Sequence, residues 1–184
     1  APRAPQNRGG AALSNCSALQ AVVERGLSTN LLRGYNHARM SMLKLLGFHH
    51  AGGSSASLIP LRRQLAPSLD LQLVELPGHG ARMRQPLSTD RPALVQQLCS
   101  ELAPHFEEPY AMFGHSLGGI LAYEVAHAVL ARAGRPPVAL FIAATPAPNA
   151  WPVLQGRHRL PDDELIALIV RQGGASAELF EDPE

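Results

Sequence analysis

Tyr110, Ala111, Met112 and Phe113 form a short apolar run, Gly114, His115, Ser116, Leu117, Gly118 and Gly119 follow it directly, and residues 117–133 carry the spacing of an apolar helix. A strand that turns into a helix at a serine, with glycines two before and two after it, has a specific physical use. The glycines let neighbouring backbone approach closely while the serine is held at the top of the turn. The same position puts the Leu117 amide and the positive end of the helix beside the hydroxyl, where both can stabilise a developing oxyanion. The competing reading gives Ser116 only the role of helix N-cap.

Working outward from this turn, short apolar runs alternate with longer amphipathic ones. Residues 43–48, 69–76, 110–113 and 138–144 read as strands, and residues 56–65, 92–106 and 117–133 as helices. That alternation predicts an α/β fold with a mostly parallel sheet covered by helices on both faces. Directly after the first strand come His49, His50, Ala51, Gly52, Gly53 and Ser54. Glycines there let a loop turn its amides toward the carboxyl ends of the strands, where open α/β sheets bind ligands. From Pro161 a further amphipathic helix is expected, opening on Asp162, Asp163 and Glu164.

The chain has 184 residues, of which 46% are hydrophobic, enough for one core. With 16 basic and 15 acidic residues its net charge is +1, so it has no broad field to hold nucleic acid or an anionic membrane. Two cysteines, Cys16 and Cys99, make no disulfide framework and no metal-type spacing, and Cys99 is expected in the core. No apolar run reaches the length of a membrane span, and the expected location is cytoplasmic. Residues 1–39 differ from the rest, with five arginines against one acid, Glu24. They are expected to be a disordered appendage or upstream extension, with Met40 as a natural start and a domain over 40–184.

Four motifs in order make the pattern specific: His50-Ala51-Gly52-Gly53-Ser54, then Leu76-Pro77-Gly78-His79-Gly80-Ala81-Arg82, then Gly114 to Gly119, then Leu160-Pro161-Asp162-Asp163-Glu164-Leu165 ahead of Gly173 and Gly174. Together they resemble the type II thioesterases of polyketide and nonribosomal peptide biosynthesis, which are α/β-hydrolases. The resemblance implies a serine hydrolase that clears acyl groups from phosphopantetheine on acyl or peptidyl carrier proteins, with no cofactor or metal of its own. It implies Ser116 as nucleophile, the Ala51 and Leu117 amides as oxyanion hole, and Gly114, His115, Gly118 and Gly119 as the elbow around it. A helical lid is implied from about residue 160, and the 77–82 loop is a family mark in which His79 and Arg82 shape the loop.

The family carries its acid and its histidine after the serine, the histidine near the end of the chain. Here the later histidines are His127, inside the helix behind the turn, and His158, just before the lid; the later acids lie in lid-like sequence. His105 and His127 are expected on helix faces, and His49 and His50 as loop shapers. The expectation is therefore an α/β-hydrolase domain incomplete at its C-terminal end, with the strand at 138–144 left as an edge and hydrolysis impaired. The alternatives are a noncatalytic remnant that binds acyl chains or carrier proteins, and an esterase or lipase acting on free esters.

Overall fold

Strands β1 (Lys44–Phe48), β2 (Asp70–Val74), β3 (Tyr110–His115) and β4 (Ala139–Ala143) pair in parallel in the order β2-β1-β3-β4. The computed structural model describes residues 43–66, 69–149, 151, 156, 159–171 and 180. The segment 1–39, His158, Gly173 and Gly174 lie outside the described residues.

Side-chain alternation along the two central strands sorts the core into two halves. Leu46 and Phe48 of β1 join Tyr110 and Met112 of β3 on one face. There they pack against Leu94, Leu98 and Leu102 of helix α2 (Arg91–Leu102), and Leu121 and Val125 of helix α3 (Leu117–Ala131). Leu45, Ala111 and Phe113 point the other way, toward Leu61 and Leu65 of helix α1 (Ile59–Leu65). Helices thus cover both faces, as expected. Fully burying a side chain such as Leu98 is worth about 1.5–3 kcal/mol, so these packed faces hold the helices more firmly than any intrinsic preference.

The helix ends differ from the expected ones at prolines. Residues 55–58 form a 3-10 turn before α1 starts, because Pro60 lacks an amide hydrogen and its ring would clash with the carbonyl four residues back. Proline is tolerated in a first turn, and there α1 begins. At the other end, Pro104 stops α2 after Leu102, leaving His105 in a 3-10 turn at 103–105, not on the helix face expected for it. Asp90 caps α2, its carboxylate accepting from the Ala93 amide at 3.0 Å.

The strand order positions the site. The chain leaves β1 through α1 to reach β2 on one side, then returns through α2 to reach β3 on β1's other side. The connections part at the carboxyl ends of β1 and β3, a topological switch point where α/β sheets hold ligands. β4 pairs with β3, and its five apolar residues are each half-buried; among the described residues no strand pairs with its other edge.

Residues 146–184 form a second compact unit. Its described helix α4 (Asp162–Arg171) opens on Asp162, Asp163 and Glu164 and ends on Arg171, charges that suit the two ends of the helix dipole. The acidic, amphipathic helix expected after Pro161 is there.

Candidate active site

Ser116 sits between the last residue of β3 and the first of α3 with φ 54° and ψ −118°. Only Ala133 and Ala144 share a positive φ among the described non-glycine residues. Such a conformation costs about 1–3 kcal/mol for a residue with a Cβ, and persists where its surroundings over-determine it. Here they do. The Ser116 amide donates to the Ala143 carbonyl at 2.8 Å, and the Thr145 hydroxyl donates to the Ser116 carbonyl at 2.6 Å. The Ser116 side chain makes no capping hydrogen bond, so the N-cap reading does not describe it.

The glycines are explained by contact. A Cβ at Gly114 would meet the Gly118 carbonyl, and a Cβ at Gly118 would meet the carbonyls of Phe48 and His49. The first turn of α3 therefore lies backbone to backbone against both β3 and the end of β1. The loop that leaves β1 is drawn alongside the elbow, and the rings of His50 and His115 meet edge to face at 5.5 Å. Ala51 is exposed on that loop. Leu117 is the first residue of α3, whose amide a helix leaves without an internal acceptor.

Behind the loop lies a carboxylate the sequence did not single out. Glu75, one residue past β2, accepts from the Ser55 amide at 2.9 Å, the Ser55 hydroxyl at 2.8 Å and the Ala81 amide at 3.4 Å. Its Oε1 lies 3.3 Å from Nε2 of His49, which is completely buried. The only advance signal was an acid at the end of an apolar strand. Thr145 gave none at all.

Arg82 donates to the Glu75 carbonyl at 3.1 Å and bidentately to Glu101 at 2.8 and 2.9 Å. Nδ1 of His79 donates to the Pro77 carbonyl at 2.9 Å. Both residues tie down the loop after β2. His127 stacks on Tyr123 within α3 at 6.3 Å.

Burial, opposed by a hydrogen bond to the His50 carbonyl and by the Glu75 charge and reinforced weakly by His79 and His50, holds the His49 pKa below its ordinary 6.5. Burial, with a smaller effect of His50, does the same to His115. For Glu75 burial pushes upward, but the Ser55 and Ala81 hydrogen bonds outweigh it and the carboxyl falls below 4.5. These directions fix the pH response. Below pH 6.5 the unfolded chain takes up protons at His49 and His115 that the folded chain refuses, so stability falls with pH through that window. Glu75 adds a second loss only below 4.5. Thermal melts from pH 8 to 5 check this: the midpoint should fall below pH 6.5, and a flat profile between 7.5 and 5.5 would contradict it.

A parallel sheet with a serine on a strained strand-to-helix turn at its switch point defines an α/β-hydrolase fold. Residues 43–184 match the family model for the thioesterase domain, and the chain belongs to that family. It is 31% identical over 140 residues to the linear gramicidin dehydrogenase LgrE of Brevibacillus parabrevis, covering 76% of this chain and 53% of that one. Among solved structures it resembles RedJ, a thioesterase from the prodiginine biosynthetic pathway in Streptomyces coelicolor, with 32% identity and a TM-score of 0.65 over 72% of this chain and 54% of that one. The type II thioesterase BorB from the borrelidin biosynthetic cluster gives 32% identity and a TM-score of 0.65, over 77% and 58%. The chain spans about half the length of the relatives it matches.

Proposed function

We propose that this chain carries the nucleophile of a thioesterase that removes acyl groups from the phosphopantetheine thiol of acyl or peptidyl carrier proteins. The observation that carries the reading is Ser116 itself: a strained, non-capping serine at the switch point, beside a helix N-terminus and a glycine loop. Ser116 Oγ attacks the thioester carbonyl, and the amides of Ala51 and Leu117 receive the charge that moves onto its oxygen. Collapse of that intermediate releases the thiol and leaves an acyl-serine, which water then hydrolyses. The first step needs a base for the Ser116 proton; among the described residues no imidazole is hydrogen-bonded to that hydroxyl. A helical lid beginning near residue 160 belongs to the same reading and is supported by α4.

Preference for carrier-bound thioesters over free oxyesters is supported by the family and by relatives from biosynthetic clusters. A cytoplasmic setting fits the described helices, none of which is long and apolar enough to cross a membrane. The test compares an acyl-phosphopantetheinyl carrier protein with the nitrophenyl ester of the same acid. We expect kcat/KM at least about tenfold higher on the carrier thioester, equivalent to about 1.4 kcal/mol of transition-state preference. Faster turnover of the free ester would make it an esterase, and carrier binding without turnover would make it a binding module.

A further inference from the structure

Apart from the Tyr110 phenol, which donates to the Arg135 carbonyl, His49 is the one polar side chain fully buried among the described residues, and the mechanism above gives it no task. Its contacts do. Nδ1 lies 2.8 Å from the His50 carbonyl. A carbonyl oxygen only accepts, so Nδ1 must carry the hydrogen. On the other side of the ring, Nε2 lies 3.4 Å from the Leu76 amide, which only donates. Nε2 also lies 3.3 Å from Glu75 Oε1, which only accepts, so its two neighbours make opposite demands on it. The 2.8 Å contact still requires a hydrogen on Nδ1, and burial, which disfavours the charged ring, then leaves the Nε2 lone pair to the Leu76 amide.

The carbonyl held by His49 belongs to the peptide unit whose nitrogen is that of Ala51. A trans peptide is planar, so fixing the direction of its C=O fixes the opposite direction of its N–H. The same His50 oxygen accepts from the Gly53 amide at 3.3 Å, which uses its second lone pair. The next peptide is held as well, since Nδ1 of His50 donates to the Ala51 carbonyl at 2.8 Å. Both peptide planes flanking an exposed alanine are therefore set, while its N–H has no acceptor among the described residues. Glu75 pins the far end of this loop through the Ser55 amide and hydroxyl.

We propose that His49 is a positioning residue: its Nδ1–H, by gripping the His50 carbonyl, aims the Ala51 amide into the oxyanion hole. The proposal rests on the reading of Ala51 as an oxyanion donor. An exposed loop with Gly52 and Gly53 has many orientations open to it, and a donor stabilises the transition state only when it already points at the developing charge.

Two measurements on the protein test this. The first needs no variant: long-range proton–nitrogen correlation of the imidazoles at pH 7.5 should show His49 protonated at Nδ1 alone, and protonation at Nε2 alone overturns the proposal. The second follows the Ala51 amide resonance when a fluorophosphonate forms its adduct on Ser116. That resonance should shift in the wild type and in His49→Asn, whose side-chain amide keeps a donor near Nδ1, and should not shift in His49→Leu. Over the same set, kcat should fall about 10²-fold in His49→Leu with KM little changed, the pattern of a lost transition-state interaction, and recover in His49→Asn. An adduct that fails to form, or that leaves Ala51 unmoved in the wild type, removes the underlying oxyanion reading. A shift and turnover that are equal in wild type and His49→Leu remove the positioning role alone. If His49→Leu does not fold, the wild-type tautomer and the His49→Asn adduct still decide the matter.

Discussion

Where a base completes the triad, Ser116→Ala is expected to lower kcat on a carrier-bound acyl thioester by about 10⁶, the loss typical when a serine triad is deprived of its nucleophile, with the melting temperature unchanged. The stability half follows from the structure. The Ser116 side chain makes no capping hydrogen bond, and alanine inherits the same positive φ with the same Cβ. Ser116→Gly separates function from strain more sharply. Glycine adopts φ 54° without the Cβ penalty, so this variant should be equally inactive yet more stable than the wild type by about 1 kcal/mol. A nucleophile held under strain, and a gain in stability when it is removed, is the trade expected of a functional turn. The measurements are turnover and thermal melting of the three proteins together. Retention of more than about a thousandth of wild-type turnover by Ser116→Ala would exceed what an oxyanion hole alone supports and would sink the nucleophile assignment.

What the sequence made legible is what short-range chemistry determines. β1, β3 and α3 stand out because both central strands are covered on two faces and, between Lys44 and His115 at their ends, are made of apolar residues and glycine. The elbow was visible because its requirement is local: glycine where backbone must touch backbone, serine between strand and helix. The order β2-β1-β3-β4 was not visible, since each strand reads alike whichever neighbour it takes. That order nevertheless creates the switch point at which the two motifs meet.

The same distinction explains the residues that were missed. His49 was expected only to shape its loop, and the reason it matters lies at Glu75 and Leu76, 26 and 27 positions away, brought beside it by the β1–β2 pairing. No period in the sequence links them. Thr145 and Ala143 act on Ser116 from the end of β4, again through a strand pairing, here β3 with β4. The first shape of the elbow is therefore written locally, while the hydrogen bonds that enforce it are supplied by neighbouring strands.

Among glycine replacements in the elbow, Gly118→Ala should do the most damage. Its added Cβ would run into two backbone carbonyls, Phe48 and His49. Neither can rotate aside, because Phe48 ends a strand paired on both edges, opposite Val74 and Gly114. The helix or the strand must move. Gly119→Ala offers the contrast: its Cβ would approach two side-chain atoms first, the Ile142 Cγ2 at 2.8 Å and the Thr145 Oγ1 at 3.2 Å, with the nearest backbone atom, the Gly114 carbonyl oxygen, at 3.3 Å. Gly52→Ala is a third kind of change, with open space around the Cβ but a φ of +69°, a penalty of strain alone. Overpacking costs about 1–3 kcal/mol where side chains can adjust and more where they cannot, so Gly118→Ala is expected to lose about 3 kcal/mol or more. For a domain of this size that is a fall of about 10 °C or more in melting temperature. Gly119→Ala should lose less, and Gly52→Ala about 1 kcal/mol. Activity should fall further than stability in Gly118→Ala, because displacing the end of β1 carries the His49 to Ala51 loop away from Leu117 and opens the pair of amides. Thermal melting of the three variants, with turnover measured well below each midpoint, gives both quantities. A Gly118→Ala protein that melts within about 2 °C of the wild type, where a loss of 3 kcal/mol predicts about 10 °C, would show that α3 and β1 are not packed backbone to backbone, and the elbow geometry would have to be abandoned with them.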